Sequence, residues 1–144
     1  MNGDLRRTQT SGRRSPRELM ATILFIDDDI ATLQLMEKAA AVLGHSTVTS
    51  SSAEDALELA RSHQPTVILV DRRLHSMNGC SLIKLIHQVP ALNRIPLYLI
   101  SAYLSDEDVA CARQAGATGC LEKPLSLANL SQILAQAGAQ VSEK

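Results

Sequence analysis

Asp27, Asp28 and Asp29 form a run of three carboxylates directly after the apolar stretch Thr22–Ile26. Asp71 closes a second apolar stretch, Thr66–Val70; Ser101 closes a third, Leu97–Ile100; and Glu122, Lys123 and Pro124 follow a shorter one. Carboxylates that converge on one spot cannot all stay ionised away from water unless a cation stands among them. Hard oxygen donors in this number suit Mg²⁺, which keeps several waters and takes one or two protein carboxylates. A divalent cation, an ammonium and a hydroxyl around a further carboxylate make a receptor for a phosphoryl group. Cation and ammonium offset charge on its equatorial oxygens, the hydroxyl donates a hydrogen bond, and the carboxylate is the nucleophile. The product of such an attack is an acyl phosphate on Asp. These residue types do not say who donates the phosphate.

For residues up to 96 positions apart to meet, the chain must bring several strand ends to one edge. Thr22–Ile26 is a continuous apolar, β-prone run of the kind buried on both faces of a sheet. A helical stripe of Leu33, Met36, Ala40 and Leu43 follows, stopped by Gly44. His45–Thr49 is a weaker strand. Ser51–Gln64 reads as a second helix, with a capping box of Ser51 and Glu54 at its start and Pro65 at its close. Thr66–Asp71 is the strongest strand and leads through the loop Arg72–Gly79 into a helix carrying Leu82, Leu85, Ile86 and Val89. Leu97–Ser101 is a fourth strand. Ser105 caps a fourth helix that ends at Gly116. Thr118–Glu122 is a fifth strand, and Ser126–Gly138 a fifth helix with Leu127, Leu130, Ile133, Leu134 and Ala137 inward. Five βα repeats predict an α/β fold, a doubly wound five-stranded parallel sheet with helices on both faces. Ligands of such sheets bind at the carboxyl ends of the strands, where the polar residues above fall.

Composition narrows the function classes. The 144 residues suit one domain, and 45% apolar with 20% charged residues is ordinary for a globular chain. Residues 1–19 are rich in Arg, Ser, Thr, Gly and Pro without periodicity and read as a disordered basic tail. Residues 20–140 form the folded domain and 141–144 its C-terminal end. Five arginines against Asp4 and Glu18 give the first 20 residues a charge of +3, leaving −4 for the rest, so the domain lacks the basic surplus of a nucleic-acid binder. Cys80, Cys111 and Cys120 have no metal-ligand or disulfide spacing and read as small buried apolar residues in a reducing compartment. No apolar run approaches the roughly 20 residues of a membrane span, so the cytoplasm is the expected location.

The set Ile-Asp-Asp-Asp (26–29), Val-Asp-Arg-Arg-Leu-His-Ser-Met-Asn-Gly (70–79), Leu-Ile-Ser-Ala (99–102) and Leu-Glu-Lys-Pro (121–124) resembles the receiver domain of two-component response regulators. The likeness is to the single-domain, chemotaxis-regulator-like type with a flavodoxin-like fold. It runs from about residue 21 onward, with intervals of 43 residues from Asp28 to Asp71, 30 on to Ser101 and 22 on to Lys123. The resemblance implies that Asp71 is the phosphoacceptor and Asp28 a direct Mg²⁺ ligand. It implies that Asp27 acts mainly through water and that the backbone carbonyl of Arg73 completes the metal shell. Ser101 would bond the phosphoryl oxygen, Lys123 would pair with it, and the Lys123–Pro124 bond would be cis. The expected donor is a sensor histidine kinase or a histidine phosphotransfer protein.

Three departures bear on this likeness. His75 stands where the family usually has Pro. Cys120 replaces the usual aromatic switch residue that works with Ser101. Arg73 and Tyr103 are bulky at positions that govern water access to the phosphoryl group, which implies slow self-dephosphorylation. His75 and His87 are expected to be solvated or packed, not phosphate relays. With the chain ending at Lys144 and no DNA-binding domain expected, output would go to an unknown protein target or through phosphorelay, from a monomer or weak dimer. Two other readings compete. A haloacid-dehalogenase-like phosphatase would need Asp27 and Asp29 in D-x-D-x-[TV], but Ala31 holds the last position. A receiver-like module could also bind partners without phosphorylation, which the missing aromatic would suit. Asp29 is expected to cap the first helix.

Overall fold

The structure, a computed structural model, describes residues 20–142. The basic tail expected over residues 1–19 lies outside them. Among the described residues, five strands alternate with five helices: β1 (Thr22–Ile26), α1 (Ile30–Val42), β2 (Ser46–Ser50), α2 (Ala53–His63), β3 (Val67–Asp71), α3 (Gly79–His87), β4 (Leu97–Ser101), α4 (Asp106–Ala115), β5 (Gly119–Glu122) and α5 (Leu127–Ser142). All pairings are parallel, in the order β2-β1-β3-β4-β5. β1, β3 and β4 occupy the centre, and their near-continuous apolar sequences follow from being covered on both sides. Side chains alternate across the sheet. Ile23, Phe25, Leu69 and Ile100 meet Leu33 and Met36 of α1 and Leu130, Ile133 and Leu134 of α5 on one face. Leu24, Ile26, Ile68, Val70 and Leu99 meet α2, α3 and α4 on the other. Each fully buried Leu or Ile contributes about 2 kcal/mol by leaving water.

Local details depart from the sequence reading. The second helix is capped by Ser52, whose hydroxyl accepts the Asp55 amide at 3.2 Å, and not by a Ser51–Glu54 box. β2 runs through Ser50, and the Ser50 hydroxyl binds the backbone carbonyl of Ser52, moving the cap one residue on. Leu85 is exposed, because α3 buries Leu82, Ile83 and Ile86 and turns the intervening position to solvent. Leu127 is exposed at the first position of α5, before the helix reaches the sheet. Cys111 is exposed, unlike buried Cys80 and half-buried Cys120. Asp29 holds the N-cap position of α1, but its carboxylate accepts the Thr32 hydroxyl at 2.6 Å in place of a backbone amide. At α4 the capping box is complete: Ser105 accepts the Asp108 amide and Asp108 accepts the Ser105 amide.

Candidate phosphoryl-acceptor site

Parallel pairing puts the carboxyl ends of β1, β3, β4 and β5 along one edge, and the polar residues stand there. Register sets Ile26 beside Val70, Asp71 beside Ile100, and Ser101 beside Glu122. Asp71 and Ser101 end β3 and β4, and Asp27 and Lys123 directly follow β1 and β5, so these residues stand along that edge. Asp27, Asp28 and Asp71 each bring one carboxylate oxygen into a group whose members all lie within 4.8 Å of one another. Lys123 enters from the end of β5, past a cis Lys123–Pro124 bond. Its Nζ donates to Asp27 Oδ2 at 2.8 Å and contacts Asp71 Oδ1 at 2.9 Å.

The three acids of the first loop do different things. Asp27 is 1% exposed, and its second oxygen accepts the Asp29 amide at 3.0 Å, so both of its oxygens are engaged. Asp28 is half-buried and meets His75 Nδ1 at 2.6 Å. Asp29 faces outward to Thr32, away from the other two. That geometry leaves the D-x-D phosphatase reading without its second carboxylate.

Burial pushes the Asp71 carboxyl above the usual carboxylate range; the Lys123 hydrogen bond opposes this, and the charges of Asp27 and Asp28 add to it. Burial also works against the Lys123 charge, but the hydrogen bonds to Asp27 and Asp71 win and hold its pKa above the ordinary lysine value. One ammonium thus faces three clustered carboxylates, a donor set of hard oxygens whose repulsion a divalent cation would relieve.

Other site candidates sit around this centre. Ser101 is buried at the end of β4, and its hydroxyl donates to the Tyr103 carbonyl at 2.8 Å, inside its own loop. Arg73 is exposed and its backbone bridges to Asn78, across the base of the loop after Asp71. Tyr103 is 73% exposed. Cys120 packs toward the α2–α3–α4 core.

Three features escaped the sequence reading. His75 is solvated as expected, with its side chain 87% exposed, but its Nδ1 also meets Asp28. Arg72, adjacent to the acceptor, donates from Nε to Asp108 Oδ1 at 2.6 Å and so ties the acceptor loop to the first turn of α4. Gly79 passes so close to the chain at Asp71 that a Cβ there would overlap the Asp71 carbonyl oxygen. Only the last left a trace in the sequence, as the Gly of Asn78-Gly79.

The description "response regulator receiver domain" matches residues 23–135. The polar-differentiation response regulator DivK of Brucella ovis is 27% identical over 106 residues, which cover 74% of this chain and 86% of that protein. Among solved structures, the chemotaxis protein CheY4 of Vibrio cholerae aligns at 25% identity with a TM-score of 0.77, over 82% of this chain and 98% of its own. The receiver domain of the sensor histidine kinase PA1611 from Pseudomonas aeruginosa aligns at 25% identity with a TM-score of 0.76, over 83% and 98%, and has a magnesium ion coordinated in its active-site cleft.

Proposed function

Because this chain belongs to the response regulator receiver domain family, a family of signal receivers and not of classical enzymes, we propose that Asp71 is its phosphoacceptor. The observation that carries this reading is the cluster of Asp27, Asp28 and Asp71 oxygens within 4.8 Å, bridged by the Lys123 ammonium. The donor is a phospho-histidine on a sensor kinase or phosphotransfer protein. An Asp71 carboxylate oxygen attacks phosphorus in line, the P–N bond to the donor imidazole breaks, and the acyl phosphate forms. Held by Asp28, Asp71 and the Arg73 carbonyl, Mg²⁺ would supply positive charge for the phosphoryl oxygens. Asp27 has little carboxylate surface left for a cation, since Lys123 and the Asp29 amide occupy both oxygens, so its part runs through water.

Lys123 is placed to move from Asp71 onto the phosphoryl oxygens as charge develops there, offsetting it without leaving Asp27. The Ser101 hydroxyl is bonded only within its own loop, so a phosphoryl group on Asp71 competes with the Tyr103 carbonyl for that proton. That exchange is a two-state change which reshapes the surface of α4, β5 and α5, where a protein target or relay partner docks. Arg73 and exposed Tyr103 flank the approach of water and slow self-dephosphorylation.

Fluoroberyllate with Mg²⁺, followed by backbone NMR, tests the reading. It predicts saturable shifts at the strand ends and in the Ser101–Ser105 loop, absent in Asp71→Asn. Half-buried Cys120, in place of an aromatic, favours the second reading of a phosphorylation-independent binding module. The absence of any shift would support that one.

A further inference from the structure

Arg72 follows Asp71 directly, and both of its main-chain groups are fixed. Its amide donates to the Ile100 carbonyl at 2.8 Å, and its carbonyl accepts the Gly79 amide at 2.6 Å. The side chain therefore leaves from a rigid base beside the acceptor. Its Nε donates to Oδ1 of Asp108, in the first turn of α4, at 2.6 Å. The other oxygen of Asp108 accepts the Ser105 amide at 3.2 Å, and the Ser105 hydroxyl accepts the Asp108 amide at 3.1 Å. One carboxylate thus fastens the end of the Ser101–Ser105 loop to the strand end that carries the acceptor. The pair is partly shielded, with the Arg72 side chain 35% and the Asp108 side chain 11% exposed, so solvent and salt weaken it less than an open surface pair.

Little else seats this end of α4. Of its ten residues the buried ones are Asp108, Ala112 and Ala115, whereas α3 buries Leu82, Ile83 and Ile86. Two alanine methyls remove little apolar surface from water. Between α4 and β5 lies a cleft of about 260 Å³, whose lining includes Val109, Ala112, Arg113 and Cys120. α4 therefore has a thin apolar seat, a charged tie at its start and room beside it. We propose that the Arg72–Asp108 pair is a positioning latch that holds α4 in its resting seat and so opposes the rearrangement that accompanies a phosphoryl group on Asp71. The latch rests on the reading of Asp71 as phosphoacceptor, and it acts without touching the phosphoryl group. Breaking it lowers the cost of moving α4, and a ligand that selects the moved state then binds more tightly.

Arg72→Met removes one charge and keeps the apolar stem; Asp108→Asn removes the other and keeps an oxygen for the Ser105 amide. In ligand-free protein, either change should speed NMR-detected amide exchange in the first turns of α4 while leaving the central strands protected. The double variant should do no more than either single one, and Arg72→Lys should keep most of the protection. In titrations with fluoroberyllate and Mg²⁺, either charge-removing variant should bind at least about fivefold more tightly than the wild type, the lower end of ordinary site-to-site coupling. A merely structural pair would give the opposite sign, because a damaged fold binds more weakly. Unchanged exchange in α4, additive effects of the two changes, or fluoroberyllate binding no tighter than in the wild type would each overturn the latch. Failure of the wild type to bind fluoroberyllate would instead overturn the phosphoacceptor reading, and the exchange comparison would still decide whether the pair holds α4.

Discussion

Lys123 does two jobs with one ammonium, and its partners predict opposite effects when altered. Asp27 is almost wholly buried, and the Lys123 ammonium lies 2.8 Å from its carboxylate. Removing one partner of a buried pair strands the other, so Lys123→Met should cost about 3 kcal/mol in urea unfolding without divalent cation. Asp71 carries the reverse sign. Burial raises its carboxyl, so its contribution to stability is complete below the unfolded value of 3.8 and is lost as pH rises through the raised folded value. At neutral pH without metal, Asp71→Asn should therefore be more stable than the wild type, and the gap should close as pH falls toward 4. Paired thermal melts across that range check it; a less stable Asp71→Asn at pH 7 would contradict the assigned strain. The convergence of Asp27, Asp71 and Lys123 was legible because each stands at or just after the end of an apolar strand, and the βα pattern brings those ends together. The contact of His75 with Asp28 was not, because it joins two loops whose relative path no local pattern encodes.

At the scale of elements, the acceptor loop is held from both ends. The Arg72 amide donates to Ile100 at 2.8 Å, the Gly79 amide donates to the Arg72 carbonyl at 2.6 Å, and the Arg72 side chain reaches Asp108. Gly79 is needed here for space and not for an unusual φ: its Cβ would strike the Asp71 carbonyl and Leu99. Gly79→Ala should cost on the order of 3 kcal/mol, the upper end for overpacking, and should displace the loop after Asp71. Chemical denaturation checks the cost, and NMR shifts confined to residues 71–80 check its location. By contrast Gly116, at the end of α4, is required for its φ of +107° as well as for room beside the His87 ring. Helix existence and strand order could be read from periodicity, whereas cap positions and faces could not. Three consecutive serines, 50 to 52, each offer a cap, and only the length of β2 selects Ser52. Leu85 and Leu127 fit the apolar stripes by spacing but fall where no neighbouring element covers them.

For the whole molecule, the cluster makes metal binding and stability one equilibrium. A cation that binds only the folded state at tenfold its Kd adds about 1.4 kcal/mol, or about 4 °C in Tm for a domain of this size. Mg²⁺ should raise the wild-type Tm by that order. Asp28→Asn should remove the response without lowering the metal-free Tm; an unfolded Asp28→Asn would mean the acidic run is structural and not a cation site. The overall architecture was legible because five apolar strands and five amphipathic helices permit few arrangements other than a parallel sheet. The Arg72–Asp108 tie was not, since it depends on how α4 settles against its neighbours. The proposed role of this corner is to carry a phosphoryl group on Asp71. Incubation with a small acyl phosphate and Mg²⁺, followed by intact-mass and peptide mapping, tests it most directly. The expected product carries one phosphoryl group, on the peptide containing Asp71, absent without Mg²⁺ and absent in Asp71→Asn. A phosphoryl group on another residue, or none on the wild type with Mg²⁺ present, would contradict it.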